Sequence, residues 1–175
     1  MRSTISGIGV NLSGTGTVNL RYNRIYNFTS DAIHITADTG SVTNVTLTGN
    51  YIHSPTPQCG AHADGLQVRG VTGLLLDNNS FDMGPWAQVC GQDALNAALF
   101  FEDANGGNSG ITVRDNYLNG GGFIVYFDES SGQIFKDSAF GSNGEYGYAY
   151  PGSDPSDFSD RTGNYILATG SPLTF

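Results

Sequence analysis

Four stretches of this chain carry one template, and that repetition restricts the possible folds more than any other feature. They are TVNLRYNRIYNF from Thr17, NVTLTGNYIHS from Asn44, GLLLDNNSFDM from Gly73 and GITVRDNYLNG from Gly110. Aligned, they superpose Val18, Val45, Leu74 and Ile111, then Leu20, Leu47, Leu76 and Val113. Asn23, Asn50, Asn79 and Asn116 follow, and Ile25, Ile52, Phe81 and Leu118 close the pattern. Apolar and other residues alternate at period two, as in strands that turn one face inward. The asparagine recurs where the chain must turn. Asn tolerates left-handed backbone, and stacked Asn amides can hydrogen-bond along a ladder.

A second apolar strand follows each copy: DAIHIT from Asp31, DGLQVR from Asp64, AALFFE from Ala97 and GGFIVY from Gly121. The expected inward pairs are Ile33/Ile35, Leu66/Val68, Leu99/Phe101 and Phe123/Val125. Ile35, Val68 and Phe101 lie 33 residues apart. A two-strand unit at near-constant period, joined by variable loops, is the signature of a solenoid. Between the paired strands of a repeat only Asn119-Gly120 offers an Asn-Gly turn, which argues against antiparallel meanders. The expected fold is all-β: a right-handed parallel β-helix of about four to five coils. The expected organisation is one domain over residues 1–175, with 141–175 as a C-terminal capping tail. An antiparallel sandwich or jelly roll is the competing arrangement.

Charge narrows the partners. Sixteen acidic residues against seven basic ones give a net charge of −9. That balance argues against nucleic acid, whose binding needs Lys and Arg, and against an anionic membrane surface. No apolar run approaches the roughly 18 residues of a membrane-spanning helix. Cys59 and Cys90 sit in separate Gly/Pro-containing loops without metal-ligand spacing, and the expectation is one disulfide and an oxidising compartment.

The recurrent coils, the segment GAHADGLQV and the closing stretch GYAYPGSDPSDF…RTGNYI resemble the secreted right-handed β-helix proteins of the pectate-lyase-like superfamily. The resemblance spans roughly residues 17–170. It implies a secreted or virion-surface location and a polysaccharide partner. It leaves the activity open, because that superfamily includes lyases, hydrolases, epimerases, tailspikes and adhesins.

The strand register sets the outward side chains in ladders. The expected ladders are Ala32/Gly65/Ala98/Gly122 as a shallow trough, His34/Gln67/Phe100/Ile124, and Thr36/Arg69/Glu102/Tyr126. His62 and Asp64 lie two residues apart, and a histidine near a carboxylate can serve as acid or base. With Arg69 and Glu102 they form the expected catalytic set: Arg69 and His62 for proton abstraction in a lyase, Glu102 and Asp64 for hydrolysis. His34, Gln67, Trp86 and Tyr126 are the expected substrate contacts. Asp31 aligns with Asp64 one coil earlier; the pair is read either as turn caps or as a calcium site, calcium being the one cofactor considered. Tyr146, Tyr148 and Tyr150 are expected on one face of a closing strand, as a cap or as a sugar platform. The longest loops span 54–63, 84–94 and 103–110. The leading functional reading is a carbohydrate-active protein, lyase or glycoside hydrolase. The alternative is a non-catalytic glycan-binding or structural β-helix, completed by a homo-oligomer or a longer chain partner.

Overall fold

The computed structural model describes residues 3–7, 9–13, 16–37, 42–128, 130–150 and 158–175. The chain winds through three parallel sheets in turn. The first holds Thr4–Ser6, Arg24–Tyr26, Tyr51–His53, Ser80–Asp82, Tyr117–Asn119, Ala139–Phe140 and Tyr165–Ile166. The second holds Val10–Ser13, Ile33–Thr36, Ala63–Arg69, Leu95–Glu102, Phe123–Phe127 and Gly147–Ala149. The third holds Gly16–Arg21, Val42–Thr48, Val71–Asp77, Asn108–Arg114, Gln133–Lys136 with Ser130–Ser131 in the same rung, and Phe158–Asp160. Among the described residues there are therefore seven rungs in the first sheet and six in each of the others, more than the four to five coils expected. The additional rungs lie at the two ends, where the template is weakest; Ser138, for instance, stands where asparagine would recur.

Each template copy is two strands, not one. Val71–Asp77 belongs to the third sheet and Ser80–Asp82 to the first, and the chain bends between them at Asn78-Asn79. The two jobs assigned to one asparagine are divided between neighbours. The left-handed residue precedes the ladder residue: Tyr22 (φ 58°), Gly49 (64°), Asn78 (53°), Asp115 (56°), Asp137 (53°) and Gly163 (74°). Gly, Asn and Asp bear that conformation at least cost. Tyr22 is the exception, and Gly49 makes room for it: a Cβ there would stand 2.6 Å from the Tyr22 ring.

The ladder itself runs through the buried corner. Asn50 Nδ2 donates to Asn79 Oδ1 at 2.9 Å, and Asn79 Nδ2 to Asn116 Oδ1 at 3.0 Å. Backbone N–H groups join in, Asn23 to Asn50, Asn50 to Asn79 and Asn79 to Asn116. Ser138 and Asn164 extend the same line, each accepting the backbone N–H of the rung before. Burying a corner is costly unless every polar group finds a partner. Here one side chain per rung supplies them, an asparagine amide or the Ser138 hydroxyl.

The core is filled by side chains stacked rung on rung. Ile33, Ile35, Leu66, Val68, Leu99 and Phe101 are fully buried, as their alternation requires. In the next rung the inward pair is Val125 and Phe127, not Phe123 and Val125: Leu99 registers with Val125 and Phe101 with Phe127. Gly120 and Gly121, both at positive φ, take up chain at the corner and delay the strand. The Phe101 and Phe127 rings stack at 4.6 Å. At the C-terminal end Phe135, Phe140, Phe158 and Phe175 pack edge to face or tilted, so the closing segment both adds rungs and plugs the core.

Candidate functional site

The outer face of the second sheet gathers most of the expected site residues. One column reads Asn11, His34, Gln67, Phe100 and Tyr126, in register. Tyr150 continues it, stacked on Tyr126 at 5.0 Å. A parallel column reads Ser13, Thr36, Arg69 and Glu102. Tyr126 thus stands over Phe100 rather than beside Glu102, the consequence of the shifted Phe123–Phe127 rung. The expected trough of small residues is not a surface feature. Ala32 and Ala98 are fully buried, Ile124 takes the place given to Gly122, and a Cβ on Gly65 would meet Phe81 and Met83 inside the corner.

Arg69 and Glu102 are neighbours as the ladder predicts. Arg69 Nε reaches Glu102 Oε2 at 2.6 Å and Nη2 reaches Oε1 at 2.8 Å, a bidentate pair. Gln67 Nε2 donates to the same carboxylate at 2.8 Å. The hydrogen bonds from Arg69 hold Glu102 below its ordinary range despite partial burial. A carboxyl held ionised in this way is not set to donate a proton to a leaving group.

The Asp64 carboxyl is of the opposite kind. It is fully buried behind the sheet face. Its Oδ1 accepts from Asn96 Nδ2 at 2.8 Å, while its Oδ2 makes no hydrogen bond. His62 Nδ1 stands 3.8 Å from that oxygen, on a side chain 60% exposed. Burial lifts Asp64 well above the carboxylate range, and repulsion from Asp31 adds to it. Asp31, raised mainly by its own burial, accepts the Asp64 backbone N–H at 3.0 Å and faces His34 Nδ1 at 3.2 Å. Asp31, Asp64 and Asn96 therefore form a second side-chain ladder at this corner. In this ladder Asp31 Oδ1 and Asp64 Oδ1 are both engaged, and Asp64 Oδ2 is left without a hydrogen bond. Among the described residues no group of three or more His, Cys, Asp or Glu side chains is arranged to hold a metal.

The sign of the pH effect follows from these shifts. A carboxyl raised in the folded state binds its proton more tightly there than in the unfolded chain. Its contribution to stability is complete below the unfolded pKa and is lost as pH rises through the folded one. Glu102, shifted down, acts oppositely and at lower pH. Asp64→Asn is expected to reduce the decline in melting temperature as pH rises above the ordinary carboxylate range, about pH 4, with Asp31 supplying a further part of the same sign. Equal slopes for the variant and the parent protein would show that Asp64 is not the group responsible.

Two loops flank the face where the chain passes from the first sheet to the second. Cys59 in one and Cys90 in the next are joined by a disulfide, with Cα atoms 5.5 Å apart. The second loop contains a small hairpin, Gln88–Val89 against Gln92–Asp93, turning at Cys90 (φ 55°) and Gly91 (φ 74°). Trp86 lies edge-on to Tyr146 at 6.1 Å, and Asp93 Oδ2 accepts the Tyr146 hydroxyl at 2.8 Å. The third long loop leaves the second sheet at the opposite corner, toward the third.

A strip of rings thus lies along the C-terminal half of the face: the sequence offers Trp86, Tyr126, Tyr146 and Tyr150 singly as sugar contacts, and the fold joins them with Phe100 and Phe123. Phe100 meets Tyr126 at 5.5 Å, and Phe123, expected inside, meets Tyr126 at 5.3 Å, Tyr146 at 5.7 Å and Tyr150 at 5.6 Å. Tyr146 and Tyr150 are 53% and 38% exposed. Tyr148 is different: it turns toward the core and packs on Phe140. The three tyrosines do not share one face.

A family model described as the right-handed beta helix region matches residues 2–162. The chain belongs to that family. No curated protein and no solved structure matches it. Parallel rungs, stacked core ladders and buried Asn corners are what membership of the right-handed β-helix family requires of this sequence. The face on which a β-helix acts must be argued from its own side chains.

Proposed function

We propose that this β-helix binds a polysaccharide laid along its axis on the outer face of the second sheet. The observation that carries the reading is the continuous ring strip Phe100–Tyr126–Tyr150, widened by Phe123, Tyr146 and Trp86. Rings with an apolar face and a polar edge suit sugars, which present C–H faces between hydroxyls. The bidentate Arg69–Glu102 pair, Gln67 and His34 border the strip with fixed polar groups. The disulfide and the resemblance to secreted pectate-lyase-like proteins support an extracellular setting for such a partner.

Affinity electrophoresis through gels containing uronate or neutral polysaccharides tests the reading. The parent protein is expected to be retarded by at least one of them. The double variant Tyr126→Ala, Tyr150→Ala is expected to lose affinity about tenfold or more while keeping its melting temperature within a few degrees. Retardation that is equal for parent and variant would sink the proposal, as would none in any gel.

A second reading, cleavage of the bound chain, is favoured by one observation, the exposed His62 backed by the buried Asp64 carboxyl. Incubation with the same polysaccharides, with and without calcium, distinguishes the chemistries. Short products absorbing in the ultraviolet would mark elimination, and short products without absorbance hydrolysis. His62→Ala is expected to abolish either. Intact polymer throughout leaves binding alone.

A further inference from the structure

A different surface carries an unused regularity. On the first sheet the outward column reads Arg24, Tyr51, Ser80, Tyr117, Ala139 and Tyr165, in unbroken register. From Tyr51 onward, tyrosine recurs on every second rung, with a small residue between. Adjacent rungs are about 4.8 Å apart, so these tyrosines repeat at about 9.6 Å. On the second sheet, rings on consecutive rungs touch, Phe100 edge-on to Tyr126 and Tyr126 stacked on Tyr150, and their contact needs no further explanation. Two rungs apart, rings lie beyond stacking distance, which ends near 7 Å between centroids. The inward side of these strands is served by Ile52, Phe81, Leu118 and Phe140, so the core does not call for the tyrosines either, although Tyr51 also stacks on His53 at 4.1 Å.

The small residues leave gaps, and the gaps are part of a trough of about 680 Å³. Tyr51, Ser80, Tyr117, Ala139 and Tyr165 form its floor and one side. The other side is the left-handed corner, where Asn78, Asp115 and Asp137 stand exposed. Tyr51 and Tyr165 are 42% and 36% exposed.

We infer that this trough is a second glycan-binding site, separate from the ring strip, and that it takes a neutral β-1,4-linked polysaccharide. The argument is one of period and charge. In an extended β-1,4-linked chain successive sugars are flipped, so alternate sugars present the same face. The repeat is therefore two sugars long, close to two rungs of this helix. Rings on alternate rungs then meet alternate sugars, and Ser80 and Ala139 leave space for the sugars between. The amide of Asn78 and the carboxylates of Asp115 and Asp137 offer hydrogen-bonding groups to hydroxyls, and the two carboxylates disfavour a uronate or sulfated chain. The inference rests on the first-sheet trough alone and stands or falls independently of the second-sheet strip.

Calorimetric titration tests it in the full chain carrying Tyr126→Ala and Tyr150→Ala, which disables the strip. Cellohexaose, xylohexaose, mannohexaose and pentagalacturonate are the probes. At least one neutral hexaose is expected to bind, and pentagalacturonate is not. Adding Tyr117→Ala is expected to weaken binding about tenfold or more, and Ser80→Tyr, which fills the gap, to weaken it similarly. If Tyr117→Ala fails to fold, Tyr51→Ala and Tyr165→Ala, at exposed positions, carry the same expectation. The inference is overturned if no neutral hexaose binds, if pentagalacturonate binds equally well, or if the trough variants bind like their parent. A hexaose that binds the unmodified protein but not the strip-disabled one would support the second-sheet reading and refute this one.

Discussion

Asn79→Ala is expected to destabilise the protein by about 2–6 kcal/mol, because two buried backbone groups lose their partners at about 1–3 kcal/mol each. The Asn79 side chain accepts the Asn50 backbone N–H at 3.0 Å and donates to the Leu47 carbonyl at 2.8 Å. Neither group has water nearby to replace it, since Asn50 and Asn79 are both almost wholly buried. The remaining two contacts, to the Asn50 and Asn116 amides, leave those amides with other partners and cost less. Urea unfolding reads the effect as a drop in midpoint of about 1 M or more, at the slopes usual for such domains. Asn79→Asp sharpens the interpretation. It keeps the acceptor for Asn50 but sets a carboxylate against Asn116 Oδ1. Its burial raises its pKa, so acid is expected to restore part of its stability. An unchanged midpoint for Asn79→Ala would mean that the ladder is a consequence of the coil rather than a cause of it.

That ladder was readable because it is periodic, and periodicity is what a linear sequence displays best. The aliphatic positions around it, the second-sheet pairs through Phe101 and the adjacency of Arg69 and Glu102 follow from the same count of residues per turn. Reading failed where the count breaks. Gly120, Gly121 and Gly122 can be placed in corner or strand with equal ease, so the residue count alone puts Phe123 inside and Tyr126 in the wrong column. Most of the rings are legible one by one, but their joining into a strip is not, for this reason and one more: Tyr146 and Tyr150 come from the closing segment, whose rungs lack the template. Trp86 reaches Tyr146 from a loop, and loops have no period to extrapolate. The buried Asp64 illustrates a third limit. Its neighbour His62 is two residues away and legible, but the burial that sets its protonation is made by elements distant in sequence.

Replacing both cysteines by serine is expected to cost about 3–4 kcal/mol, the loop-closure entropy returned to the unfolded chain when a bridge across 31 residues is removed. For a chain of this size that is a fall in melting temperature of roughly 6–16 °C, measured by calorimetry against the parent protein. Reduction of the parent with a thiol is expected to give the same shift, which separates loss of the bridge from any effect of the serines. An unchanged melting temperature in both would mean that the two loops are held by their packing alone. The bridge also bears on the site, because His62 and Trp86 sit on the loops it joins whereas Phe100, Tyr126 and Tyr150 sit on the strands or directly beside them. Stability and binding are therefore expected to respond differently. The bridge-free protein, assayed well below its melting temperature, retains most of its glycan affinity if the strand-borne rings carry the contact. It loses affinity as severely as the Tyr126→Ala, Tyr150→Ala protein only if the loops, and not the strip, hold the sugar.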